Sequence, residues 1–235
     1  MIDTFIACPT YDGRLDFFTA KALFETPSKS ARYILQAGQF SLLNLNCNRL
    51  WCEALNLRER FPKLKWFAML HSDIIPEPYW LDKLIRLAEE NNAIMMSAVI
   101  PIKDDSGATS TALDNPIDGW MMYRILMDDF RFKDLPKTFD IAAACKALNV
   151  QTPQRLLLNT GCMVVRIDQP WAEDIIFKSE ERIVKTNAGK AKDIFVAHSD
   201  SEDWNFSRQV ANHGKTMATL EVKADHIGLQ HWKNY

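Results

Sequence analysis

His71-Ser72-Asp73 follows directly on Trp66–Leu70, a tight apolar run of strand length. A carboxylate at the end of a buried strand can take a hard divalent cation and leave the cation's other positions open to phosphate oxygens. The competing reading is that Asp73 caps a turn before Pro76. A second acidic pair, Glu202-Asp203, stands where Ser199-x-x-Glu202 makes a capping-box pattern. Both acids then fall in the first turn of a helix, where the dipole favours carboxylates whether or not they do chemistry. The five histidines are scattered along the chain, too dispersed for a phosphoesterase metal cluster. No glycine-rich phosphate loop follows the first apolar segment, which counts against a nucleotidyl transferase.

These groups need a scaffold, and the first hundred residues supply one by alternation. Ile2–Cys8 reads as a buried strand, and Asp12-Gly13 marks the turn after it. Leu15, Phe18, Ala22 and Leu23 recur at helical spacing, Ala31–Ala37 follows as a strand, and Leu42–Phe61 is a long helix stopped by Pro62. After Trp66–Leu70 a helix starts near Pro78 with Trp80, Leu81, Leu84, Ile85 and Ala88 on one face, and Ala93–Ile100 is the next strand. Strand and helix in alternation predict an α/β fold with a largely parallel central sheet flanked by helices. Ligands of such sheets sit outside the carboxyl ends of the strands, which is where Pro9–Arg14 and His71–Asp73 fall.

Beyond residue 102 the pattern is less regular. Lys103–Asp118 reads as a loop, Asp140–Leu148 as a helix, and Leu156–Ile167 as one strand with Gly161 inside it, an expected bulge or close approach. Lys178–Lys192 reads as a mobile lid or a solvated loop with a local positive balance. The helix from Glu202 carries Phe206 and Val210 and ends at Gly214. Repeats and linker-like stretches are absent, so one domain is expected, with a Rossmann-like half over 1–102 and a second half over 103–235.

Composition bounds the function. The 235 residues carry 28 basic and 30 acidic side chains, a net charge of −2 that argues against binding nucleic acid mainly through phosphate charge. Five cysteines without a CxxC pair suggest neither a zinc ribbon nor a disulfide scaffold. The opening residues lack the basic start of a signal peptide, and no apolar run is long enough to span a bilayer. A cytoplasmic protein without stable membrane insertion is expected.

In order, Cys8-Pro9-Thr10-Tyr11-Asp12-Gly13-Arg14, Asn48-Arg49 in the long helix, Leu70-His71-Ser72-Asp73-Ile74-Ile75-Pro76, Asn159-Thr160-Gly161-Cys162-Met163, Ser201-Glu202-Asp203-Trp204-Asn205-Phe206 and Asp225-His226-Ile227-Gly228 span nearly the whole chain. This series resembles the GT-A-fold glycosyltransferases of the family-2 type, which use nucleotide sugars. The resemblance implies a single GT-A-type domain whose 1–102 half binds the donor, and whose 103–235 half faces the acceptor and ends in a metal-ligand tail. It implies a Mn2+ or Mg2+ ion on Asp73 and His226, with His71 a further candidate ligand where the family usually has an acid. It implies Asp203 as general base on the acceptor hydroxyl, Glu202 as its companion, and Thr10, Tyr11, Asp12, Arg49 and Ser72 on the donor. Tyr11 would stack on the base and Asp12 accept from the ribose, while Trp204 is a candidate platform for a sugar face. Asp203 as base implies inversion, although retaining relatives also place acids here. The implied donor is a UDP- or GDP-sugar. The acceptor is open, a glycan or a modified nucleobase in DNA among the candidates, with Lys178–Lys192 expected to contribute in the DNA case. The competing readings are a non-catalytic nucleotide-sugar-binding module and a sugar nucleotidyl transferase.

Overall fold

The computed structural model describes residues 2–104, 106–114, 121–126, 135–150, 155–186, 193–228 and 231–233. The chain opens as β1 (Thr4–Thr10), α1 (Phe17–Phe24), β2 (Tyr33–Gln39), α2 (Leu43–Arg60) and β3 (Trp66–Leu70). It continues as β4 (Ile74–Pro76), α3 (Trp80–Glu90) and β5 (Met95–Ala98). Every residue of β1, β3 and β5 is buried, as expected of strands covered by helices on both faces. On one face Leu50, Trp51 and Ala54 of α2 meet Phe5 and Phe67; on the other Leu81, Leu84 and Ala88 of α3 meet Ile6, Ala68 and Met96. Asp16 caps α1 through Phe18 N at 2.7 Å.

The second half supplies β6 (Ala108–Asp114), β7 (Met121–Leu126), β8 (Thr138–Phe139), α4 (Ile141–Leu148), β9 (Leu156–Leu157) and β10 (Cys162–Arg166). Then follow β11 (Glu180–Thr186), β12 (Ile194–Asp200), α5 (Glu202–Ala211), β13 (Thr216–Thr219), β14 (Ala224–Ile227) and β15 (His231–Lys233). The central sheet has the order β2-β1-β3-β10-β5-β13-β8. Five of its strands run one way, while β10 and β8 run against their neighbours. The sheet is therefore mainly parallel and mixed, with β10 inserted between β3 and β5.

Several expectations need correction. Lys103–Asp118 is not all loop: Ala108–Asp114 is a strand, paired with β7 and β9. Leu156–Ile167 is two strands in different sheets, and Gly161 lies in the connection between them. A Cβ at Gly161 would meet only ordinary contacts, the nearest being Asn159 Oδ1 at 3.4 Å, so no close approach explains that glycine. Glu180–Thr186 of the expected lid is one strand of a β11–β12 hairpin; residues 187–192 lie outside the described residues. Ser201 rather than Ser199 caps α5, accepting from Trp204 N, so Glu202 is the first helical residue and not a capping-box partner. Trp120, a further ring the sequence offers for a sugar face, lies outside the described residues.

The close approach that does require glycine is at Gly38. A Cβ there would stand 2.2 Å from Asn46 Oδ1. Asn46, buried on the first turns of α2, donates through Nδ2 to the carbonyls of Thr10 at 3.0 Å and Gly38 at 3.1 Å. It thereby ties the carboxyl ends of β1 and β2 to the helix.

Candidate active site

At the carboxyl ends of β1 and β3 a cleft of about 260 Å³ opens, lined by Thr10, Tyr11, Phe40, His71, Ser72 and Asp73. Thr10 is spent on the turn: its hydroxyl donates to Gly38 O at 2.9 Å and accepts from Gly13 N at 3.0 Å. Gly13 itself adopts φ +82°, a conformation glycine permits. Tyr11, 73% exposed, stands free to lie on a ligand ring. Asp12 accepts from Arg14 N at 3.1 Å, beside the cleft lining rather than in it. Arg49 is likewise outside that lining; its guanidinium lies 4.2 Å over the Phe40 ring, so it buttresses a cleft residue. Asn48 is committed to the backbone of Phe177.

Asp73 sits in the short crossing between β3 and β4. His226 reaches it because β14 pairs with β4, setting His226 opposite Ile74, while Ile227 N donates to Asp73 O at 2.8 Å. His226 Nε2 lies 3.6 Å from Asp73 Oδ2, and its Nδ1 lies 2.7 Å from Pro101 O. A carbonyl can only accept, so Nδ1 carries a proton and Nε2 faces the carboxylate. Lys103 Nζ also bonds Asp73 Oδ2. Burial pushes the Asp73 carboxyl up, but His226 and Lys103 more than reverse this and hold it well below the usual carboxylate range. The pKa of His71 is lowered by burial, and its buried Nε2 has no hydrogen-bond partner among the described residues. Cys8 beneath is raised to about 12 by burial and then by Asp73, and is no nucleophile.

Asp203 and Glu202 enter from the other side, on the first turn of α5. Thr160, in the connection leading into β10, donates its hydroxyl hydrogen bond to Asp203 Oδ1. Burial raises both carboxyls, Asp203 against the lowering effect of the Thr160 bond and Glu202 further through the charge of Asp203. The two acidic groups belong to one electrostatic field. His71 feels both Asp73 and Glu202, and Asp203 feels His226 and Arg124. Two partly buried carboxyls with raised pKa are suited to proton transfer.

Two cations in this constellation, Lys103 and Arg124, have no motif in the sequence. Arg124 donates to Thr109 O at 2.9 Å and lies 4.6 Å over the Trp204 ring. Trp204 is buried and donates through Nε1 to Ser110 O at 2.9 Å, so it anchors α5 and supports Arg124 instead of offering a face to a sugar. His213, which has no sequence neighbour to explain it, stacks on Trp171 at 5.2 Å. The side chains of His231 and Trp232 lie outside the described residues.

The residues at Asp73 do not fit a pre-formed Mg2+ or Mn2+ site. Hard divalent cations want several oxygen ligands. Here there is one carboxylate, already held by an ammonium, and an imidazole stands where a second acid is expected. Among the described residues no three His, Cys, Asp or Glu side chains are gathered to hold a metal ion.

A larger depression of about 510 Å³ lies at the opposite, amino end of the strands, between Asp3, Lys63, Lys65 and Trp66 on one side and Arg86 and Glu89 on the other. Its Lys65 pairs with Glu89 at 2.6 Å, and no buried acid faces it. It is larger than the cleft and has less chemistry.

No protein-family model matches the chain, and no curated protein matches its sequence. Among solved structures, A197 from STIV aligns with a TM-score of 0.52 at 12% identity, over 97% of this chain and 86% of A197. TarS 1–349 of S. aureus aligns with a TM-score of 0.43 at 10% identity, over 92% of this chain and 58% of that one. The first likeness shows a shared fold, and the second is too distant to add to it. Among the described residues no helix is long and apolar enough to cross a membrane.

Proposed function

We propose that this chain is a GT-A-type glycosyltransferase that moves a sugar from a nucleotide sugar to an acceptor hydroxyl, with Asp203 as general base. One observation carries the reading: Asp203 is a partly buried carboxyl of raised pKa, held by Thr160, and it feels the charge of His226, which lies on the cleft residue Asp73. The ordered motifs of the sequence and the mainly parallel sheet support it.

On this reading the donor's base lies against Tyr11 and its diphosphate near Ser72 and Asp73. The acceptor oxygen attacks the anomeric carbon and its proton passes to Asp203 Oδ2. The bond from that carbon to the phosphate oxygen breaks, and the electron pair leaves with the nucleoside diphosphate. A UDP- or GDP-sugar is the proposed donor, and a glycan or a modified nucleobase in DNA the proposed acceptor. A binding module without catalysis is the second reading, favoured by the histidine at position 71. Titration of UDP, GDP, CDP, TDP and ADP into wild type and Asp203→Asn separates the two. The enzyme reading expects one nucleotide to bind both proteins equally, with donor turnover only in the wild type. Binding without turnover of the matching sugar donor in either protein would leave the module. No binding of any nucleotide would remove both.

A further inference from the structure

We propose that Lys103, held on Asp73, is the resident cation of the site and takes the place of a divalent metal in binding and neutralising the donor's diphosphate. The inference rests on the glycosyl-transfer reading and deepens it. It is drawn from the pairing of Lys103 Nζ and His226 Nε2 on the same oxygen, Asp73 Oδ2. A metal reaching Asp73 would have to displace the ammonium from the carboxylate oxygen it needs.

The surroundings fit a fixed ammonium better than a metal. Lys103 follows directly on the segment that leaves β5, and His226 is locked to the same segment through Pro101 O at 2.7 Å. Ile102 N in turn donates to Ala108 O at 2.9 Å, and Ser110 N to Ile100 O at 2.8 Å, so the backbone under Lys103 is pinned to β6. The ammonium bonds a single carboxylate oxygen and keeps two further donors for phosphate oxygens. About a third of the Lys103 side chain is exposed, and the Asp73 it holds lines the cleft. Position 71 follows the same logic. A second acid there would add negative charge beside Asp73, whereas the imidazole that stands there leaves its Nε2 without a hydrogen-bond partner among the described residues.

In the transfer step, as the bond from the anomeric carbon to the phosphate oxygen breaks, the electron pair settles on the departing diphosphate. Lys103 stabilises that charge as a hydrogen-bond donor without giving up its proton, and the acceptor's proton resides on Asp203.

The test is calorimetric titration of nucleoside diphosphates and the corresponding monophosphates into wild type, Lys103→Met and Lys103→Arg, each with EDTA and with added Mn2+. The expected result is diphosphate binding by the wild type in EDTA, little changed by Mn2+. Lys103→Met should lose tenfold or more in diphosphate affinity while keeping its affinity for the monophosphate, and Lys103→Arg should recover most of the loss. The split between diphosphate and monophosphate separates a contact to the outer phosphate from a general loss of structure. Diphosphate binding only with Mn2+, unchanged or tighter in Lys103→Met, would overturn the inference and leave the transferase reading standing. Absence of nucleotide binding under every condition would overturn both. Titration of Mn2+ alone, followed by its paramagnetic resonance signal, should show no tight site in the wild type; a tight site lost in Asp73→Asn would also overturn the inference.

Discussion

The hydroxyl of Thr160 donates to the Oδ1 of Asp203, joining the connection that enters β10 to the first turn of α5. Through that bond the connection into β10 lowers the proton affinity of an acid on α5. Burial raises the Asp203 carboxyl and the Thr160 bond lowers it, with burial prevailing.

The pH dependence of transfer follows. A base must be ionised, so activity is lost as pH falls through the pKa of Asp203, and a raised pKa places that loss above the ordinary carboxylate range of about 4. Thr160→Val removes the lowering bond, and the acid limb of kcat/KM should move to higher pH while kcat at alkaline pH changes little. Asp203→Asn should lower kcat by about 10²–10⁴-fold at every pH. A Thr160→Val profile that coincides with the wild type would show that the bond does not tune the base.

Arg208 offers a test of how α5 is held. Its guanidinium bonds Asp114 Oδ1 at 2.9 Å and also pairs with Asp200, both acids being buried. Arg208→Met leaves two buried carboxyls without that partner and should destabilise the fold by about 3–5 kcal/mol in urea unfolding at neutral pH. Burial already raises both carboxyls above their unfolded values. The native state therefore takes up protons more readily than the unfolded one, and the deficit of the variant should shrink as pH falls toward the carboxylate range.

Gly38→Ala should cost about 1–3 kcal/mol by the same measurement. The new Cβ would displace Asn46, and the Thr10 carbonyl would lose its side-chain donor. Nucleotide affinity should fall with stability, because Thr10 begins the cleft wall.

The β11–β12 hairpin should open ahead of the core, except at Asp200, its last residue, which is buried and paired with Arg208. Its two strands form a sheet of their own, and Ile183 and Phe195 are 76% and 74% exposed. Replacing both with lysine should change stability by no more than about 0.5 kcal/mol. In hydrogen exchange its amides should exchange well ahead of those of β1 and β3.

Much of the first half was legible because buried parallel strands and amphipathic helices write their periods plainly: Trp66–Leu70 and the Trp80-to-Ala88 stripe were read as they stand. The strand Ala108–Asp114 was not, because Ala-Thr-Ser-Thr-Ala has no apolar alternation and its burial comes from β7 and β9 on either side. The antiparallel course of β10 leaves no mark on its own residues. Asp73, Glu202 and Asp203 stand out as candidates from their places at element ends. Lys103 and Arg124 were missed because what makes them functional candidates is a partner distant in sequence, Asp73 for one and Trp204 for the other. The cap at Ser201 was missed because Ser199 two residues earlier offered a better-known pattern, while β12 in fact continues to Asp200.

The insertion of β10 between β3 and β5 bears on how the chain must be made. When the first hundred residues have left the ribosome, β3 presents one unpaired edge and β5 two, and β3 and β5 cannot pair with each other in the final order. Those edges are apolar on both faces, the kind that recruits foreign strands. The nascent chain is therefore exposed to misassociation until Cys162–Arg166 emerges to fill the gap, and a fragment ending near residue 102 would carry that hazard permanently. Thr160 and Gly161 arrive just ahead of the same strand, so filling the gap between β3 and β5 and supplying the partner for Asp203 are a single late event in biosynthesis.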